Sequence, residues 1–222
     1  MSRLSLPMLP VLLLSLVACS KKSGGPTAPV GNQKTSFTTL NPVGSGTNIE
    51  ARTSQIVTNG APPAQLFDDF SFTGGSTIRT VGWQGIYCVQ AANAAAPAPT
   101  ASAFTVAFYP DASGRPNIAA PIQVTTLTLA QANQVFDRNV SNLSCGSATN
   151  VTYAFYSYSA TLATPFVAAA GVKYWMSVQA TTPSYDVYWG WRNGTTDNSL
   201  SVQLFTGAFT TYPADRAYSL TP

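Results

Sequence analysis

The sequence predicts an all-β chain: an antiparallel two-sheet β-sandwich, jelly-roll-like, over residues 36–222, preceded by an export signal and a tether. Three observations carry that prediction. Threonine is abundant and Glu50 is the only glutamate, the reverse of a helix-forming composition. Apolar and aromatic residues alternate at period two in run after run, the pattern of half-buried strands. Clusters of Gly, Pro, Asn, Asp and Ser separate those runs, as hairpins and loops require.

Taken in order, residues 77–90, TIRTVGWQGIYCVQ, put Val81, Trp83, Tyr87 and Val89 on one face. AFTVAFYP groups Phe104, Val106 and Phe108. VTYAFYSYSA sends Tyr153 and Phe155 one way and Tyr156 and Tyr158 the other. KYWMSVQA sets Tyr174, Met176 and Val178 against Trp175, Ser177 and Gln179, and SLSVQLF adds Val202 and Leu204. Between them lie the turn clusters FTGGS, YPDASGRPN, AAAG and RNGTTDN. The spacing implies about eight to ten strands, which suits a sandwich better than parallel crossovers. LTLAQANQVFDRNVSN, residues 127–142, is the least strand-like piece and fits either a short helix or a long loop. No internal repeat of fixed period is present.

The first 18 residues read as an export signal: Arg3, then an apolar stretch, then small residues. Pro7 and Pro10 interrupt that stretch, against a spanning helix of about 20 apolar residues. Leu16-Val17-Ala18-Cys19 resembles a bacterial lipobox, which implies cleavage before Cys19 and lipidation of its thiol. The alternative is an ordinary signal peptide that contains a cysteine. Each buried lipid methylene adds about 0.8 kcal/mol, so two or three chains would hold the protein on a membrane without a spanning segment. Ser20 stands where sorting rules place aspartate in lipoproteins kept at the inner membrane, so the resemblance implies the outer membrane. In an organism with a single membrane it implies the outer face of that membrane. Residues 19–35, rich in Gly, Pro, Ser and Lys, have almost nothing to bury and read as a tether.

The remaining chain is long enough for one sizeable core, burying roughly 70% of its surface. Seven basic residues from Arg52 to Arg216 face eight acids, so the domain is nearly neutral. No clustered basic face is present to bind nucleic acid. With Cys19 assigned to lipid, Cys88 and Cys145 remain, and in an exported chain they are expected to pair. Closing a loop of about 57 residues corresponds to roughly 4 kcal/mol in the chain-entropy picture. Two buried thiols are the competing reading.

FDDFSFTGGSTIRTVGWQGIY, FTVAFYPDASGRP, YSYSATLATPFVAAAGVKYWMSVQA, WGW and PADRAYSL follow one another in order. Together they resemble a recurrent, functionally uncharacterised β-sandwich domain of exported and surface-anchored bacterial proteins, over residues 66–220. The resemblance implies a jelly-roll-like sandwich and brings no activity with it.

Catalysis is not expected. With no histidine, Ser-His-Asp and Cys-His arrangements and His-ligated metals are excluded. Glycoside hydrolysis needs a positioned carboxylate pair, and adjacent Asp68 and Asp69 point to opposite faces of an extended chain. Most other aspartates sit in turn-like contexts, where they cap backbone groups. No cofactor is expected; Asp68, Asp69, Asp111 and Asp197 are weak candidates for a structural calcium, which needs six to eight oxygens.

YDVYWGWRNG, residues 185–194, is the densest aromatic stretch. As a strand it puts Val187, Trp189 and Trp191 on one face and Tyr188 with Gly190 on the other. The residues Tyr188, Trp189, Trp191, Arg192 and Asn193 would suit a flat sugar ring if exposed, with open space left over Gly190. Alternatively the two tryptophans pack into the core beside Trp83 and Trp175. Period two cannot say which face is wet. The expected role is a surface or envelope binding module for a glycan or an envelope protein. A purely structural envelope lipoprotein is the alternative, and a hydrolase comes third.

Overall fold

The computed structural model describes residues 36–41, 50–195 and 197–222. The signal (1–18), the tether (19–35) and Cys19 lie outside the described residues. Fourteen strands are present among the described residues. They are β1 (Phe37–Thr38), β2 (Ala51–Thr53), β3 (Gln55–Val57), β4 (Ala64–Ser71), β5 (Ser76–Val89), β6 (Ala103–Pro110) and β7 (Gln123–Thr128). Then follow β8 (Val135–Cys145), β9 (Ala148–Ala168), β10 (Lys173–Thr182), β11 (Val187–Arg192), β12 (Ser201–Phe205), β13 (Ala208–Tyr212) and β14 (Tyr218–Thr221). The excess over eight to ten comes largely from β1, β2 and β3, two or three residues each and too short to show a period.

Two seven-stranded sheets pack face to face as a β-sandwich. In the first, β9 runs along one edge of β5, and the other edge is shared by β14 and then β11. In the second, β6 runs along one edge of β10, and the other is shared by β4 and then β3. Among these strands every pairing is antiparallel except β3 with β10. The chain changes sheet repeatedly, as a jelly-roll-like path does. One such change is compressed into a single residue, Ser54. Its N–H donates to the Trp189 carbonyl in the first sheet, at 3.3 Å, and its carbonyl accepts from Ala180 in the second, at 3.0 Å. Its hydroxyl donates to the Val178 carbonyl and accepts from Leu66 N–H, so the buried corner leaves no polar group unpaired.

The inward faces match the period-two reading. Val81, Trp83 and Tyr87 of β5 meet Phe104, Val106 and Phe108 of β6, with Tyr158, Met176 and Val178 between the sheets. Trp83 stacks on Tyr158 at 5.1 Å and Phe108 on Phe166 at 4.2 Å. Such pairs contribute about 0.5–1.5 kcal/mol each beyond the area they bury.

Both outer faces also carry apolar clusters. On the first sheet Ile86, Cys88, Val151 and Phe155 pack with Cys145, because the tip of the β8–β9 hairpin is carried over that face. Cys88 and Cys145 form the expected disulfide. On the second sheet Phe67, Tyr109, Trp175 and Val202 cluster under the Asp111 turn and β13.

The stretch 127–142 is neither a helix nor a long loop. It holds the end of β7, one tight turn and most of β8. Thr128 and Gln131 cap the turn reciprocally: Thr128 N–H donates to the Gln131 Oε1 at 2.8 Å, and Gln131 N–H donates to Thr128 Oγ1 at 3.3 Å. This is the box that opens helices. Here the chain leaves after one turn, because β8 finds a partner in β9.

Candidate functional site

β11 divides its residues as alternation requires. Trp189 and Trp191 point between the sheets and are fully buried. Trp189 Nε1 donates to the Tyr158 hydroxyl at 3.2 Å, and Trp191 Nε1 to the Ala217 carbonyl at 3.0 Å. Arg192 and Asn193 are buried as well. The Arg192 guanidinium lies 5.1 Å from the centre of the Phe155 ring, and burial pulls its pKa down to about 10. The aromatic platform expected from Trp189, Trp191, Arg192 and Asn193 is therefore not presented to solvent. The physical reason is that the tryptophan face of β11 is the inner face of a sandwich, and on the outer one Arg192 is covered beside Phe155.

Tyr188 is the exception. Half-buried on the outer face, it stands between two adjoining depressions of about 360 and 380 Å³ that share Thr53, Tyr188 and Gln203. The first runs over Arg52, Cys88, Gln90, Cys145, Tyr153 and Tyr212; the second adds Ala64, Tyr185 and Phe205. Together they make a groove beside the β2–β3 corner. Its rim is aromatic: the Tyr185 and Tyr188 rings lie 5.3 Å apart and tilted by 36°. Phe205 is 46% exposed at the far end.

The polar groups of the groove are held in place. Tyr188 donates its hydroxyl to Gln90 Oε1 at 2.8 Å. Gln203 donates to the Thr53 carbonyl at 2.7 Å and accepts from the Tyr212 hydroxyl at 3.0 Å. The Arg52 guanidinium lies 4.7 Å from the centre of the Tyr212 ring. Burial raises the pKa of Tyr153 and of Tyr185, so both hydroxyls stay neutral donors at ordinary pH. Gly190 lines the groove, yet less space lies over it than expected: a side-chain carbon there would meet Ala51 Cβ at 3.1 Å.

Asp68, Asp69 and Asp197 come near one another around Tyr218, but their oxygens are not arranged about a common point. Among the described residues no group of three or more acids, cysteines or histidines is arranged to hold a metal. Asp68 accepts N–H bonds from Arg216 and Asp69, and burial pushes its carboxyl well above the usual carboxylate range. Asp69 pairs with Lys173 at 2.8 Å and accepts from Asn198 at 2.9 Å. Asp111 accepts from Trp175 Nε1 at 2.7 Å and Gly114 N–H at 3.0 Å. Asp197 donates its own N–H to Asp215, which also takes those of Ser199 and Leu200. The carboxylates of Asp68, Asp69 and Asp111 thus each accept from protein donors, and Asp215 ties the loop before β12 to the buried Arg216 segment. Asp137, expected in a turn, lies in β8 and pairs with Arg138 at 2.7 Å.

Of the groove residues only Tyr188 was legible as a candidate. Tyr185, Tyr212, Arg52 and Gln203 come from four separate places in the chain. The one available signal was the parity of Tyr188, opposite to the tryptophans.

A family described as a domain of unknown function, DUF7901, matches residues 35–214. A comparison with curated proteins finds no match.

Proposed function

Because the chain belongs to the DUF7901 family, whose description assigns no function, we propose from the groove itself that the domain is a binding module for a stretch of glycan. The observation that carries this reading is the tyrosine rim. Tyr185 and Tyr188 offer adjoining ring faces for the apolar face of a sugar, with Arg52 and Gln90 beside them to meet its polar edge. No residue lining either depression is an aspartate or glutamate, which favours holding a glycan over cleaving it. The lipobox-like LVAC around Cys19 supports lipid anchoring in the cell envelope, at the outer membrane where there is one. In that setting the module would hold a polysaccharide at the membrane surface.

The test is calorimetric titration of the full chain, in polyoxyethylene micelles that carry no sugar, against a panel of soluble polysaccharides. Saturable binding is expected, weakened at least about tenfold by Tyr188→Ala, with the thermal midpoint of the variant near that of the parent. Silence across the panel would favour a purely structural envelope lipoprotein. Palmitate labelling lost in Cys19→Ser tests the anchor separately; equal labelling of both chains would refute it.

A further inference from the structure

We propose that the groove selects an acidic sugar, a uronate or similarly carboxylated unit, and that Arg52 is the residue that reads it. The inference rests on the glycan reading above and adds the charge of the ligand.

Arg52 lies on β2, at the edge of the first sheet, with its side chain exposed and lining the first depression. Its guanidinium makes no ion pair among the described residues, unlike the charged groups of Arg138 and Lys173. What holds it is the Tyr212 ring, 4.7 Å below. A guanidinium stacked on an aromatic face loses part of its freedom in advance and keeps its forked N–H edge open. That edge matches the two oxygens of a carboxylate better than any single hydroxyl.

No carboxylate is bonded to this guanidinium. None of the lining residues is acidic. Glu50, two residues away, is engaged elsewhere: its carboxylate accepts from Asn193 Nδ2 at 3.4 Å, and its carbonyl accepts from Asn193 N–H. Gln203 already bonds to Thr53 and Tyr212 and carries no charge, so it shapes the wall and leaves Arg52 as the charged recognition element. A neutral glycan would leave the guanidinium without a bonded carboxylate. An acidic one supplies that partner in the depression that Arg52 and Tyr188 both line.

The experiment titrates the full chain in the same micelles with polygalacturonate and alginate, each beside its carboxyl-esterified, uncharged form. The free acids are expected to bind about tenfold more tightly than their esters, the scale of one charge-assisted pair, and the advantage shrinks with added salt. Arg52→Gln removes most of the difference, weakening binding of the free acids far more than that of the esters. Equal binding of acid and ester, binding of neutral polysaccharides alone, or equal weakening of both forms by Arg52→Gln overturns the proposal while the glycan groove stands. Absence of binding to every polysaccharide overturns the groove reading and this inference together.

Discussion

The indole of Trp189 lies against the backbone of Gly85: a first side-chain carbon built at Gly85 would stand 2.6 Å from three atoms of the ring. In the register of β5 and β11, Gly85 faces Trp191 and Trp189 faces Tyr87, so the ring reaches diagonally across one pair to fill the gap. The φ of Gly85 is not in the left-handed region, so the glycine is required by space alone. Gly85→Ala is expected to destabilise the fold by about 1–3 kcal/mol, the cost of overpacking a filled core. Without the clash, the same change would stabilise by about 0.4–1 kcal/mol through the unfolded chain. The sign of the shift in denaturant midpoint therefore decides whether the ring packs there. Tryptophan emission should move to longer wavelength in the same variant.

The strand parity that places Trp189 inside was readable from the sequence, and so were the faces of β5, β6, β9 and β10. Which faces are dry was not. Trp175 falls on the outer side of β10 by alternation and is still fully buried, because the Asp111 turn folds back to accept its indole N–H. Arg192 shares the outer side of β11 with Tyr188, yet it is sealed beside Phe155 while Tyr188 is not. In each case the deciding neighbour is far away in sequence, so no local pattern carries the information. The groove is the extreme case. It exists because the chain changes sheet at Ser54 and brings Thr53 of β2 beside Gln203 of β12, 150 residues away.

The disulfide sets a second expectation. Cys88 at the end of β5 and Cys145 at the end of β8 both line the groove, and their bond pins the hairpin tip that carries Ser144 and Tyr153. Besides that bond the tip is held by its apolar packing on Ile86 and Phe155 and by Thr152 N–H to the Ala94 carbonyl at 2.9 Å and Asn93 N–H to the Thr149 carbonyl at 3.1 Å. The paired variant Cys88→Ser with Cys145→Ser should lose about 2–4 kcal/mol of stability. Hydrogen exchange should rise over residues 140–153 and much less in β5 and β10. A uniform rise across both sheets would mean that the bond supports the whole sandwich and not this wall.

Alkaline titration tests the aromatic core. Tyr87, Tyr158 and Tyr218 are fully buried, and desolvation raises each hydroxyl pKa, that of Tyr87 to about 12. Tyr218 is raised further by Asp68, Asp69, Asp197 and Asp215 around it. An unfolded tyrosine ionises near 10. The folded state therefore binds more protons than the unfolded state above pH 10. The stabilising contribution of these groups is fully present below that pH and is lost as pH rises from about 10 toward 12. Tyrosinate absorbance should accordingly rise in two stages. The half-buried rings ionise first, without loss of tertiary structure; the fully buried ones ionise only as near-ultraviolet circular dichroism collapses. If all ten tyrosines ionised near pH 10 with the fold intact, the packing of Tyr158 against Trp83 and Phe104 would be wrong.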